Sequence, residues 1–327
     1  MDIDCICSSV IAECEASWAM KKTAPPFYKQ RGFRLFLLIT PFIVIVFLLS
    51  YLPLFGWAYA FFDYKPGIPL TWEKFAGFKY FTNMFTDKYM FQDVTRVLRN
   101  TLAMSLLGMA TSPLPLIFAM FLNEIKFNPI KRGVQTLTTI PNFISWVLVY
   151  AVAYAMFSVG DGFVNRLLIQ LGVMDSGVNF LASRDHVWLT MLGYGIWKGL
   201  GWSSIIYFAA MSGIDQELYE AAKVDGAGRF ASMTHITLPS LLPTYFVLLI
   251  LFIANFINSG MEQYFVFQNH MNKEYIEVLD LFVYNQGMLN INYSFSTAVS
   301  ILKSLISIVL LFSANGLSRL FRDQTIF

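Results

Sequence analysis

Charge is scarce in this chain. Only 13% of its 327 residues are Asp, Glu, Lys or Arg, about half the roughly 25% of an average soluble domain, which argues against the soluble globular class. Cysteine is scarcer still. All three lie in the first fourteen residues (Cys5, Cys7, Cys14), so no disulfide framework spans the fold, and a lone C-x-C pair is a weak metal pattern. The three histidines, His186, His235 and His270, fall in separate loops, without an H-E-x-x-H or a His/Cys cluster. No G-x-S-x-G elbow occurs, and the absence of any Gly-Lys dipeptide excludes a phosphate-binding loop of the G-x-x-x-x-G-K-[ST] type. The net charge of +2 comes without a basic, aromatic-studded patch, so nothing points to nucleic acid. If nucleotide hydrolysis drives this protein, the hydrolysis happens on another chain.

What is abundant is apolar sequence: 56% of residues are hydrophobic and 17% aromatic. Six runs approach or exceed the roughly 20 residues that a helix needs to cross a bilayer. They lie near 35–62, 98–122, 136–157, 187–211, 241–267 and 295–317. Strands of a barrel would instead alternate polar and apolar over about 10 residues. The expected fold is therefore all-α, a polytopic membrane protein with six transmembrane helices. Domain bounds follow: an N-terminal head over 1–33, a membrane domain over 34–320 and a short tail over 321–327. Residues 1–19 read as a segment apart, with Met20 resembling a natural start.

Lys21, Lys22, Lys29, Arg31 and Arg34 precede the first run, which predicts a cytoplasmic N-terminus. Six crossings return Arg319 and Arg322 to that side, and Lys126, Lys131 and Arg132 agree. The loop 63–97 disagrees, with four lysines and Arg96 placed outside. Its Phe75, Phe78, Phe81 and Phe85 recur at helical spacing, as in a helix lying at the outer interface. The outer segment 269–293 carries Glu274, Glu277 and Asp280, acids placed to face a soluble partner.

On this topology one cytoplasmic stretch stands out, "ELYEAAKVDGAGRFASMTHITLPSLLP" (217–243). Asp215 is a good N-cap, Glu217 and Glu220 suit the positive end of a helix, and Gly226 is placed to end or turn it. A second short helix is expected over "RFASMTHIT", stopped by Leu238-Pro239. The small residues Ala221, Ala222, Gly226 and Ala227 allow close approach of another surface. A mere connector would need fewer residues, so a docking elbow over 213–240 is expected.

Here a resemblance enters. Glu220, Ala221, Ala222, Gly226, Ile236, Leu238 and Pro239 stand at every position of the pattern E-A-A, three residues, G, nine residues, I-x-L-P. That pattern resembles the EAA loop of ABC-importer permeases. "VLRNTL", "VQTLTTIPNFISWVLV", "IWKGLGWSSIIYFAAMSGIDQELYEAA", "MEQYFVFQN" and "YSFSTAVSILKSLISIVLLFSANGLSRL" extend the likeness over about 30–322. They resemble the oligo- and polysaccharide branch of carbohydrate permeases, which includes alginate importers. The resemblance implies a non-catalytic pore subunit in a bacterial inner membrane. Its implied partners are a second, homologous permease, two ATPase subunits, an extracytoplasmic sugar-binding protein, lipid and a saccharide, with alginate or another uronate among the candidates. No cofactor is implied on this chain, and ATP and Mg belong to the ATPase. Glu220, Ala221, Ala222, Asp225, Gly226 and Pro239 are the implied coupling residues.

Sugars are bound by aromatic faces and hydrogen-bonding side chains. Candidates in the runs are Asn142, Ser145, Trp146, Tyr150, Tyr154, Tyr194, Trp197, Lys198, Trp202, Asn255, Asn258 and Gln263. A lysine at mid-bilayer costs about 2.5–3.5 kcal/mol unless it faces protein or water. Lys198 should therefore face the pore, pair with an acid or bond backbone carbonyls, and Lys303 invites the same alternatives. A competing class is an ion-coupled secondary transporter, which predicts inverted repeats and mid-membrane acids. The six runs hold one acid, Glu262, near an end.

Overall fold

A computed structural model describes residues 31–184 and 186–322. The expectations for residues 1–30 and for most of the tail lie outside these. The described residues are predominantly helical and contain a single isolated bridge, Phe62 to Phe75. The chain divides into two compact units, 1–58 and 59–327.

In the first unit, helix α1 (Arg31–Val46) starts inside the expected head and continues through a π turn (Phe47–Tyr51) into a tighter helix (Leu52–Phe61), whose last three residues belong to the second unit. Pro41 lies within it, and the Thr40 hydroxyl donates to the carbonyl of Phe36 at 2.8 Å. An 18-residue window within Leu35–Phe61 has a mean hydropathy of 2.7. It is apolar on every face, the pattern of a lipid-facing span rather than of an amphipathic surface helix.

The second unit holds the remaining long helices. Asp87 caps α2 (Lys88–Thr111), its carboxylate accepting from the N–H groups of Tyr89 and Met90. After a turn at Ser112 and Pro113, α3 (Leu114–Asn123) completes a 36-residue stretch, Lys88–Asn123, that holds an apolar window long enough to span. Next come α4 (Asn128–Thr139) and α5 (Trp146–Phe157), then α6 (Val187–Ser212) and α7 (Gln216–Val224). Last are α8 (Leu238–Ala254) and α9 (Tyr293–Arg322), which frame a series of short helices between 262 and 289.

Fewer than the six expected crossings stand out by length and composition among the described residues. Four helical stretches are individually long and apolar enough to span: Leu35–Phe61, Lys88–Asn123, Arg229–Ala254 and Tyr293–Gly316. A fifth would be the pair Asn128–Phe143 and Trp146–Phe157, bent by 106° within the expected run 136–157. The expected fourth run is one 26-residue helix, α6, but its glycines, tryptophans and Lys198 keep it less apolar than those four. The expected fifth run is displaced, because its helix begins at Arg229 and ends at Ala254, short of Phe267. The four phenylalanines of 75–85 are not on one helix either. Only Phe81 and Phe85 lie in the eight-residue helix Lys79–Thr86.

The largest departure concerns 269–293. This expected outer segment is among the best-buried parts of the chain: Ile276, Val278, Leu279, Leu281 and Phe282 are each at most 3% exposed. Leu279 and Phe282 pack with Val97, Phe295 and Ala298, while Val278 and Leu281 pack with Val149, Val187 and Phe267. Glu277 goes inside with them. It accepts from Arg96 at 2.8 Å and from the Asn285 amide at 2.8 Å. Asn100 on α2 donates to the carbonyls of Glu274 and Glu277, fastening the segment to that helix. Asp280 is paired with Lys303 of α9 and accepts from the Gly260 N–H at 3.0 Å. Burial of an unpaired charge costs several kcal/mol, so Glu277 and Asp280 are structural acids here, not a partner surface. Glu274 alone of the three is exposed, in an ion pair with Arg184.

Candidate functional site

Two places gather the expected site residues. The first is the elbow between α6 and α8. Asp215 caps α7 as its sequence predicts, accepting from the Glu217 N–H at 3.0 Å. The helix ends in a Schellman motif. Gly226 takes φ +76°, its N–H bonds the Lys223 carbonyl, and the Ala227 N–H reaches back to Ala222 at 2.8 Å. Nothing lies within 4 Å of where a Cβ on Gly226 would sit. Glycine is needed there for its left-handed backbone, not for space.

Glu220, Ala221, Asp225 and Gly226 are exposed and Ala222 is half-buried. Beside them stand exposed apolar side chains, with Val224 at 87%, Phe230 at 69% and Leu218 at 50%. The opposite side of the elbow is anchored. Tyr219 shares a 2.8 Å hydrogen bond with Thr237, and Met233 and Leu241 are buried against Met211, Leu116 and Met120.

Pro239 does not stop a helix. Arg229–Ser232 runs through a π turn, Met233–Thr237, directly into α8, and Arg229–Ala254 is one continuous stretch. Proline has no N–H to donate, and at position 239 it falls in the first turn of α8, where the Leu238 N–H bonds Met233 in the wider π pattern. The second arm of the elbow, from Arg229, is thus continuous with its span, while the Gly226 turn joins the first arm to it.

The second place is a cavity of about 570 Å³ between α2, α6 and α8. Its lining contains no Asp, Glu, Lys, Arg or His. Asn255, Asn258, Trp202 and Gln263 reach it, whereas Asn142, Ser145, Trp146, Tyr150, Tyr154, Tyr194, Trp197 and Lys198 do not. Asn255 Nδ2 donates to the Leu251 carbonyl, which leaves its Oδ1 to accept from Asn258 Nδ2. Gln263 Nε2 donates to the Met191 carbonyl at 2.6 Å. Ser112 and Tyr245 share a hydrogen bond at the wall, and Ser259 Oγ has no partner there.

The other expected residues go elsewhere. Tyr150 and Tyr194 flank buried Phe267, at 5.1 and 4.9 Å between rings. Trp197 and Tyr154 are exposed, and Ser145 caps α5 through the Leu148 N–H. Lys198 Nζ donates to the carbonyls of Asn142 and Ile144 at 2.7 Å each and of Pro141 at 3.2 Å, and lies 5.5 Å from the Trp146 ring. Asn142 and Trp146 therefore belong to the bend between α4 and α5, with Lys198 as its clasp.

Several cavity residues escape a search for aromatics and amides: Ser105, Thr111, Ser112 and Ser259. Part of that wall has a legible signal, since Ser105, Gly108 and Thr111 follow one another at three-residue steps on a single face of α2.

Comparisons with known proteins agree with this architecture. The chain is 38% identical to protein LplB of Bacillus subtilis over 294 residues, covering 90% of this chain and 91% of that one. It is 36% identical to the polygalacturonan/rhamnogalacturonan transport system permease YteP of the same organism, covering 90% of each. A chain of the bacterial alginate ABC transporter, solved with an alginate pentasaccharide-bound periplasmic protein, superposes with a TM-score of 0.81. It is 29% identical, covering 92% of this chain and 99% of that one. Residues 111–325, which hold both the elbow and most of the cavity wall, match the family described as the inner membrane component of binding-protein-dependent transport systems, and the chain belongs to that family.

Proposed function

We infer that this chain is one half of the translocation pore of an ATP-driven importer of oligo- or polysaccharide. A second, homologous permease would complete the pore, two ATPase subunits would lie beneath it, and an extracytoplasmic binding protein would deliver the sugar. Both termini and the elbow are cytoplasmic in this reading. The observation that carries it is the elbow itself. A capped helix bearing Glu220, Ala221 and Ala222 turns at Gly226 into the continuous stretch Arg229–Ala254, and exposed apolar side chains flank that turn. That is the shape of a contact through which force on a docked partner moves a span as a rigid body.

Acidic saccharides are the favoured cargo, by likeness to the permease named for polygalacturonan and to the importer of the acidic polysaccharide alginate. This subunit's cavity wall offers amides, hydroxyls and aromatic faces without charge, so it would read hydroxyls and ring faces while carboxylates are met elsewhere in the complex. The test is co-purification. The wild-type chain should bring down an ATPase subunit, and Glu220→Lys should lose it while remaining in the membrane. A chain that transports sugar when purified alone would instead be an ion-coupled carrier.

A further inference from the structure

Helix α6 connects the elbow to the bend. Its last residue is Ser212, three before the Asp215 cap. Lys198 lies fourteen residues back along it, about 21 Å. Gly195, Gly199, Trp202 and Ile206 of α6 face the cavity, and an adjacent face carries Lys198 and Gly201. A Cβ on Gly201 would sit 2.3 Å from the Thr138 carbonyl, so the backbones of α6 and α4 touch there. One turn away, the three Lys198 hydrogen bonds hold the carbonyls of Pro141, Asn142 and Ile144.

This joint is stiff for a physical reason. Carbonyls released by a break in a membrane helix are costly if left unpaired. A lysine away from water is costly in the same way. Each liability cancels the other only while they touch, so parting α6 from the bend exposes both together.

We propose that Lys198 is a positioning residue that makes the broken pair α4–α5 travel with α6 as one body, so that displacement of the elbow reaches the bend. This rests on the importer reading above. In the complete complex reconstituted in liposomes, Lys198→Met should still bind the ATPase and keep basal hydrolysis, but lose on the order of tenfold or more of sugar transport. Lys198→Arg, which still donates to carbonyls, should retain most transport. Methylammonium should restore part of the transport of Lys198→Ala, by placing a cation among the carbonyls. It should not help Lys198→Met, whose side chain fills the space. In nanodiscs holding this chain alone, hydrogen exchange over 140–150 should rise in Lys198→Met and Lys198→Ala but not over 114–123. In Lys198→Ala it should fall again with methylammonium.

Normal transport by Lys198→Met overturns the proposal. So does unchanged exchange over 140–150, and so does an Lys198→Arg variant as impaired as Lys198→Met. Failure of the importer reading is distinguishable, because the wild type itself would then bind no ATPase. The exchange measurement on the chain alone would still decide whether Lys198 holds the bend.

Discussion

The elbow and the cavity wall are built by opposite rules. The elbow is contiguous, 215–239, and works through backbone shape: one capping acid, one left-handed glycine and one proline at the start of a helix. The cavity wall is assembled from α2, α3, α6, α8, the short helix Glu262–Phe267 and the loop before it, segments that lie far apart in the chain, and works through side-chain chemistry. A contiguous device must keep its residue types at fixed spacing, because each backbone position tolerates few of them. A distributed wall needs only small and polar residues on whichever faces meet, and many sequences meet that need.

The contrast is broken most severely at Gly226. Gly226→Pro cannot adopt φ +76° and also loses the N–H that bonds Lys223. Transport and ATPase co-purification should both vanish with the chain still in the membrane, and normal transport would refute the importance given to backbone shape here. Next in size is Arg96→Met, which strands the buried Glu277 carboxylate. Breaking a buried pair from one side costs about 3–5 kcal/mol, so the folded yield in detergent should collapse, and Arg96→Met with Glu277→Met should recover much of it. If the double variant is no better, the pair is not what limits stability.

Gly226→Ala should cost about 1–2 kcal/mol in the elbow, and Gly226→Asn less, because Asn visits the left-handed region more readily. Thermal shift of the purified complex would rank the two, and the reverse order would argue against a conformational role. The smallest effect belongs to the cavity. Ser112→Ala removes one wall hydrogen bond, worth about 0.5–1.5 kcal/mol. It should change the apparent affinity for sugar without changing ATPase binding. A variant that lost the ATPase would show that wall and elbow are not separable.

Much of the elbow could be read in advance, because capping and the Schellman turn are local. Its exit could not: Leu238-Pro239 reads as a stop, and the π turn that carries the helix through it depends on Met233 and Leu241 being buried against α3 and α6. The bend at 140–145 was illegible for a similar reason, since a continuous apolar run says nothing of direction. Lys198 was the one mark of it, an expensive residue whose purpose appears only when the carbonyls 54 to 57 positions earlier are in view. Glu277 and Asp280 misled as exposed acids because their partners, Arg96 and Lys303, lie in other parts of the chain. Of the cavity wall, Asn255, Asn258, Trp202 and Gln263 were legible as amides and aromatics in apolar surroundings, while its hydroxyls looked like ordinary span serines.

The π turn at Met233–Thr237 sets a phase as well as a path. A π turn is in effect one extra residue in a helix, and each residue turns an α-helix by about 100°. Deleting one residue there would leave the helix unbroken yet aim Phe230 and the elbow about a quarter turn away from their present bearing on the cavity wall. That single extra residue works as a keyway, fixing the angle at which the docking surface meets the span it moves.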